Sequence, residues 1–106
     1  MKKSYYHATP FENFQSIYSK GLKKGYDGII YLTETPEDAI KFLRIRLCQD
    51  ILVIQIDLDE SEVVETFDHS EAFFKCRAFG YPHDIPPESL STGKMTRWKE
   101  SRDDIR

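Results

Sequence analysis

His7 and Tyr31 are the residues whose type and placement best suit chemistry on a ligand. Each sits inside a short apolar segment that ends in threonine. In Tyr-Tyr-His-Ala-Thr (5–9), strand alternation puts Tyr5, His7 and Thr9 on one face and Tyr6 and Ala8 on the other. In Ile-Ile-Tyr-Leu-Thr (29–33), it puts Ile29, Tyr31 and Thr33 together. A neutral imidazole donates from one nitrogen and accepts at the other, and a tyrosine ring offers a flat face for stacking. Each residue also has a purely structural reading, as a hydrogen-bonded core histidine and a half-buried strand tyrosine. Other chemistries find less support. Three His and two Cys at these spacings make no metal site. No Gly-rich phosphate loop occurs, and a Cys/His nucleophile pair has no local signature.

The elements that must position these residues follow from pattern. Residues 4–9 are aromatic-rich and alternate, which predicts a strand. Thr9-Pro10-Phe11-Glu12 predicts a helix start, with Thr9 as N-cap, Pro10 at the first position and Glu12 completing a capping box. Phe11, Phe14, Ile17 and Tyr18 fall on one apolar face, and Gly21 ends the helix just after Lys20. A loop over 23–28 leads to a second strand at about 28–33. Thr35-Pro36-Glu37-Asp38 repeats the helix-start signature, for a helix to about residue 47 with Ala39, Phe42 and Leu43 inward. Residues 51–58 are strongly β-branched and predict the sheet centre. A turn at 59–62, a strand at 63–67 and an alternating strand at 71–81 come next. A Pro-punctuated turn then leads to a last strand near 88–92. The stretch 93–106 is charged and reads as a tail or surface helix pinned by Trp98, beyond a domain over 1–92. Helices early and strands late predict an α+β fold of two small, mostly antiparallel sheets.

A chain of 106 residues is one domain by size and holds one modest core. Its net charge of −3 excludes an overall electrostatic nucleic-acid binder. Seven Phe, six Tyr and one Trp supply that core and have rings to spare for a stacking pocket. Cys48 and Cys76 are far apart and read as free thiols in a reducing compartment. Met-Lys-Lys-Ser-Tyr-Tyr-His does not open a secretory leader, and no apolar run reaches the roughly 20 residues of a membrane span. The expected location is the cytoplasm.

Three stretches carry a family resemblance. Tyr-His-Ala-Thr-Pro-Phe-Glu-Asn-Phe-Gln-Ser-Ile-Tyr-Ser-Lys-Gly-Leu (6–22) resembles the first strand–helix unit of ADP-ribosyltransferases. It is similar to that of the small bacterial and phage members and of the RNA 2′-phosphotransferases. Ile-Tyr-Leu-Thr-Glu-Thr-Pro-Glu-Asp-Ala (30–39) resembles the second strand and its helix, and Ile-Pro-Pro-Glu-Ser-Leu (85–90) an element near the end of many small members. Together they cover about residues 4–92.

The resemblance implies that NAD binds as substrate, without a metal, in a cleft between two small sheets, and that its ADP-ribose passes to a macromolecular acceptor. His7 would hydrogen-bond ribose hydroxyls, Ala8 would present its backbone to the nicotinamide amide, and Tyr31 would stack on the nicotinamide ring. Thr9 would cap the helix and touch the ligand. The family's late-strand Glu has no plain counterpart before the Ile-Pro-Pro element. Glu71 is the first candidate, with Asp84, Glu88 and His83 as alternatives. By analogy, so small a domain suits a toxin or a phage protein. Two rivals stand beside this reading. One is a module that binds NAD-derived or ADP-ribose-type nucleotides without chemistry. The other is an RNA 2′-phosphotransferase-like enzyme using Lys41, Arg44, Arg46, Lys75 and Arg77.

Overall fold

The computed structural model describes residues 2–25, 28–44, 48–66 and 78–99. In chain order these form β1 (Lys2–Pro10), a 3-10 turn (Phe11–Asn13), α1 (Phe14–Lys20), β2 (Ile30–Leu32) and α2 (Pro36–Arg44). After them come β3 (Asp50–Asp59), β4 (Val64–Thr66), β5 (Ala78–Tyr81) and β6 (Met95–Lys99), with short 3-10 turns between. The strands make two three-stranded antiparallel sheets, ordered β1-β3-β6 and β2-β5-β4. The expected α+β architecture of two small antiparallel sheets and two short helices is what the described residues show.

β3 is the centre because it is apolar on both faces. Leu52, Ile54, Ile56 and Leu58 point one way and Ile51 and Val53 the other, and all six are buried. The first set meets Tyr5, Ile30, Leu32, Phe79 and Ile85 in the core between the sheets. Tyr5 and Phe79 pack edge to face, with centroids 5.5 Å apart. α2 covers the other face, packing on β1 and β3 with Ala39 buried. Each such aliphatic side chain contributes about 1.5–3 kcal/mol by leaving water.

α1 is closed by Gly21 and the Ile-Pro-Pro element. Leu22 and Ile85 exchange two backbone hydrogen bonds of 2.8 Å. Gly21 has φ +80, and a Cβ there would lie 2.1 Å from the Ile85 carbonyl oxygen. Only glycine fits that approach.

Four expectations need correction. Thr9 does not cap α1. Thr9 and Pro10 pair with Leu52 and Ile51, so β1 stays extended through Pro10, and α1 starts only after the 3-10 turn. At the second signature the expectation holds, since Thr35 Oγ1 accepts the Asp38 N–H at 3.1 Å. On α1, Ile17 is buried as the apolar face requires, but Tyr18 is 61% exposed and stacks along Phe14 at 6.0 Å.

At the other end of the chain, residues 87–89 form a 3-10 turn where a strand near 88–92 was expected. Residues 95–99 form a strand where a tail or helix was expected. β6 has the charge of an exposed edge, with Arg97 forked onto Asp50 at 2.8 and 2.7 Å. Trp98 pairs with Ile51 and carries the Arg44 guanidinium 5.5 Å over its ring. The end of the second helix beyond Arg44, and the part of the strand over 71–77, lie outside the described residues.

Candidate functional site

β1 and β2 meet in a seam that opens almost as soon as it forms. Tyr6 and Thr33 exchange backbone hydrogen bonds of 2.9 Å in both directions. Among the described residues this bridge is the whole of the β1–β2 pairing. A continuing ladder would next bring the Ala8 N–H onto the Tyr31 carbonyl. Instead that carbonyl accepts a hydrogen bond from His7 Nδ1–H at 2.8 Å. Strand alternation turns Ala8's N–H and C=O to the same side as Tyr6's, toward β2, beyond the point where pairing stops. The histidine thus spans a split between the two sheets.

A carbonyl can only accept, so Nδ1 carries the proton. In the neutral ring Nε2 is then an acceptor. His7 as a residue is half-buried, but burial of the ring pulls its pKa below the usual histidine range. This outweighs the opposing pull of the Tyr31 carbonyl, which favours the charged form. Near neutral pH the ring is uncharged, with its donor committed to the Tyr31 carbonyl and Nε2 as its acceptor. On β2, Ile30 and Leu32 are 2% and 1% exposed and anchor the strand in the core, while Tyr31 between them is 44% exposed. Side-chain alternation in a three-residue strand produces that contrast.

The other expected residues fall in different places. Thr9 is buried in β1, and its Oγ1 accepts from Asn13 Nδ2 at 2.8 Å, so it ties the strand end to the turn before α1. Asn13 was not singled out in the sequence, although Thr and Asn four apart around a Pro are a readable pair. Glu71 lies outside the described residues. The Asp84 carboxylate accepts the Lys24 N–H at 2.7 Å, His83 sits edge-on to Tyr81 at 5.3 Å, and Glu88 is exposed in the 87–89 turn. Of the basic residues an RNA 2′-phosphotransferase would need, Lys41 pairs with Asp38 at 3.6 Å and Arg44 rests on Trp98. Arg46, Lys75 and Arg77 lie outside the described residues.

A second unforeseen link is Lys3. Its Nζ meets Glu34 at 2.6 Å and lies 5.5 and 5.9 Å over the Tyr5 and Phe79 rings. It clasps β1 to the loop after β2, on the far side of the Tyr6–Thr33 bridge from the split.

Among the described residues no group of His, Cys, Asp and Glu is arranged to hold a metal ion, and no helix is long and apolar enough to cross a membrane. Cys48 is a half-buried free thiol whose S–H reaches the Asp50 carbonyl at 3.6 Å, and Cys76 lies outside the described residues. No protein-family profile matches this chain, and no curated protein matches its sequence.

Proposed function

We propose that this chain binds NAD in the split between β1 and β2 and transfers the ADP-ribose part to a macromolecule. The observation that carries the reading is the hydrogen bond from His7 Nδ1–H to the Tyr31 carbonyl. It leaves Nε2 as an acceptor, and among the described residues the Ala8 backbone has no partner on β2. A ribose hydroxyl donating to Nε2, a carboxamide matched to Ala8's N–H and C=O, and an aromatic ring against Tyr31 are what this set can hold. The order of the three motifs that resemble ADP-ribosyltransferases supports the same ligand.

In the reaction, the bond from ribose C1 to nicotinamide nitrogen breaks and its electron pair leaves with nicotinamide. An acceptor nucleophile then bonds to C1 and releases its proton. The positive charge that develops on the ribose calls for a carboxylate, a role given to Glu71. A binding module without chemistry is the second reading. The described candidates for that carboxylate favour it, since Asp84 is engaged by the Lys24 N–H and Glu88 is exposed in the 87–89 turn.

A thermal-shift panel with NAD, ADP-ribose and nicotinamide tests the ligand. At about 100 times its dissociation constant a ligand adds roughly 2.7 kcal/mol of stability. NAD and ADP-ribose should stabilise the protein, and no shift with either overturns the proposal. Nicotinamide release then separates the two readings. Glu71→Gln should lower it by ~10²–10³ while NAD binding holds. Binding without release in the unaltered protein selects the binding module.

A further inference from the structure

A groove of about 440 Å³ runs along β3 on the side away from β1. Its floor is a strand edge that β6 leaves open. β1 pairs with β3 as far as Asp59, but β6 pairs with it only over Asp50–Ile54. The direction of the open groups follows from the seam. Tyr6 gives its N–H and C=O to Thr33, so Tyr5 and His7 turn theirs to β3, and their partners Ile56 and Ile54 turn theirs back. Gln55 and Asp57 therefore face the groove. Past the Ile54–Met95 pair the β6 side curls away, with the Lys94 N–H on the Ser91 carbonyl at 2.9 Å. Among the described residues, the Gln55 C=O and the Asp57 N–H and C=O have no strand to pair with. Acceptor, donor and acceptor at that spacing match the main chain of an extended polypeptide.

The two walls differ in chemistry. Tyr81, Ile85 and Pro86 line one side, where Ile56 and Leu58 also point. Lys2 and Lys94 line the other, where Lys94 Nζ meets Asp57 Oδ2 at 2.8 Å. Lys2 is exposed and has no ion-pair partner among the described residues, so this wall is positive after Lys94 and Asp57 cancel. Asp84, on the opposite rim beside Ile85, accepts the neutral Lys24 N–H, which adds no positive charge, so the two walls differ in sign.

We propose that this edge takes up an extended segment of another protein as an added β-strand. The segment alternates apolar residues toward Tyr81 and Ile85 with acidic residues toward Lys2 and Lys94. Main-chain hydrogen bonds supply the attachment and the alternate side chains the selectivity. This site is separate from the split and does not depend on NAD.

The probe is the synthetic peptide Val-Glu-Val-Glu-Val-Glu, followed by the amide resonance of Asp57. The expected result is a saturable shift at Asp57. Val-Lys-Val-Lys-Val-Lys should bind at least tenfold more weakly, as should the Glu peptide to Lys2→Glu protein. Of two peptides N-methylated on every Val or on every Glu, one should lose binding, because one set of N–H groups faces the edge. Equal binding by both N-methylated peptides overturns strand addition, as does an Asp57 resonance that no peptide moves. A protein that sediments as a dimer with the Asp57 amide already protected overturns it too, in favour of a second copy in the groove.

Discussion

β1 has two edges, and they behave in opposite ways. Against β3 all nine of its residues pair, from Lys2–Asp59 to Pro10–Ile51. Against β2 it keeps one bridge, Tyr6–Thr33, and then parts. The partners explain the difference. β3 brings apolar side chains to both faces, so every added pair buries surface on two sides. β2 is three residues long and buries only Ile30 and Leu32. At the parting, an imidazole replaces a peptide N–H as the donor to Tyr31. The first edge holds the fold, and the second, among the described residues, is joined to β2 at a single bridge.

The largest effect should come from breaking the closed edge. Ile54 is 0% exposed in the core between the sheets. Ile54→Ala should cost about 2–5 kcal/mol through lost transfer energy and the cavity left behind. Urea denaturation measures it, and a loss below 1 kcal/mol would show that the sheet interface repacks freely.

The open edge should respond differently. His7→Ala strips the donor from the Tyr31 carbonyl and the acceptor from the split. The carbonyl can then turn to water, so the stability loss should stay near 1 kcal/mol, while NAD affinity falls about tenfold, the worth of one ordinary hydrogen bond. Isothermal titration calorimetry beside urea melts would show both. Equal effects at Ile54 and His7 on both readouts would erase the contrast between the edges.

Acid sharpens it further. Because burial lowers the His7 pKa in the folded chain, the unfolded chain takes up that proton first as pH falls. The stability linked to His7 is therefore in place above about pH 6.5 and is lost below it. Ligand affinity should fall in the same direction, as Nε2 gains a proton and ceases to accept. Urea midpoints at pH 7.5 and 5.5 should diverge more for the unaltered protein than for His7→Ala. Parallel behaviour would mean that the ring does not titrate as its surroundings require.

The smallest effect belongs to the clasp beside the seam. Lys3 and Glu34 are solvent-accessible, and exposed pairs add little because water already screens them. Lys3→Met, which keeps an apolar stem over Tyr5 and Phe79, should leave the urea midpoint unchanged. A clear loss would make the clasp, rather than the Tyr6–Thr33 bridge, the joint between the sheets.

The two Thr-Pro signatures show where pattern was enough and where it was not. Thr35 caps α2 as its sequence predicts, because no strand competes for it there. Thr9 has the same local signal but lies opposite Leu52, and sheet pairing outweighs a cap. β6 was hidden for a related reason. Met-Thr-Arg-Trp-Lys has the polarity of a surface segment of any kind, and only the free edge of β3 makes it a strand. At the candidate site, the sequence marked His7, Ala8 and Tyr31 through alternation and resemblance. The Thr9–Asn13 pair was readable but passed over, and the sequence had no means of marking Lys3, whose partner is set by the docking of the second sheet.

The sequence by itself determined the strands and helices with strong periodicity, the central place of 51–58 and the faces on which His7 and Tyr31 lie. These are local properties, set by side-chain alternation and apolar spacing within a few residues. The split itself was decided only by the tertiary structure. It depends on β1 being claimed along its whole length by a strand over 40 residues away while β2, too short to hold the other edge, lets go after one bridge. Competition between distant partners for the same backbone groups is a balance of long-range packing energies, and no short window of sequence contains it.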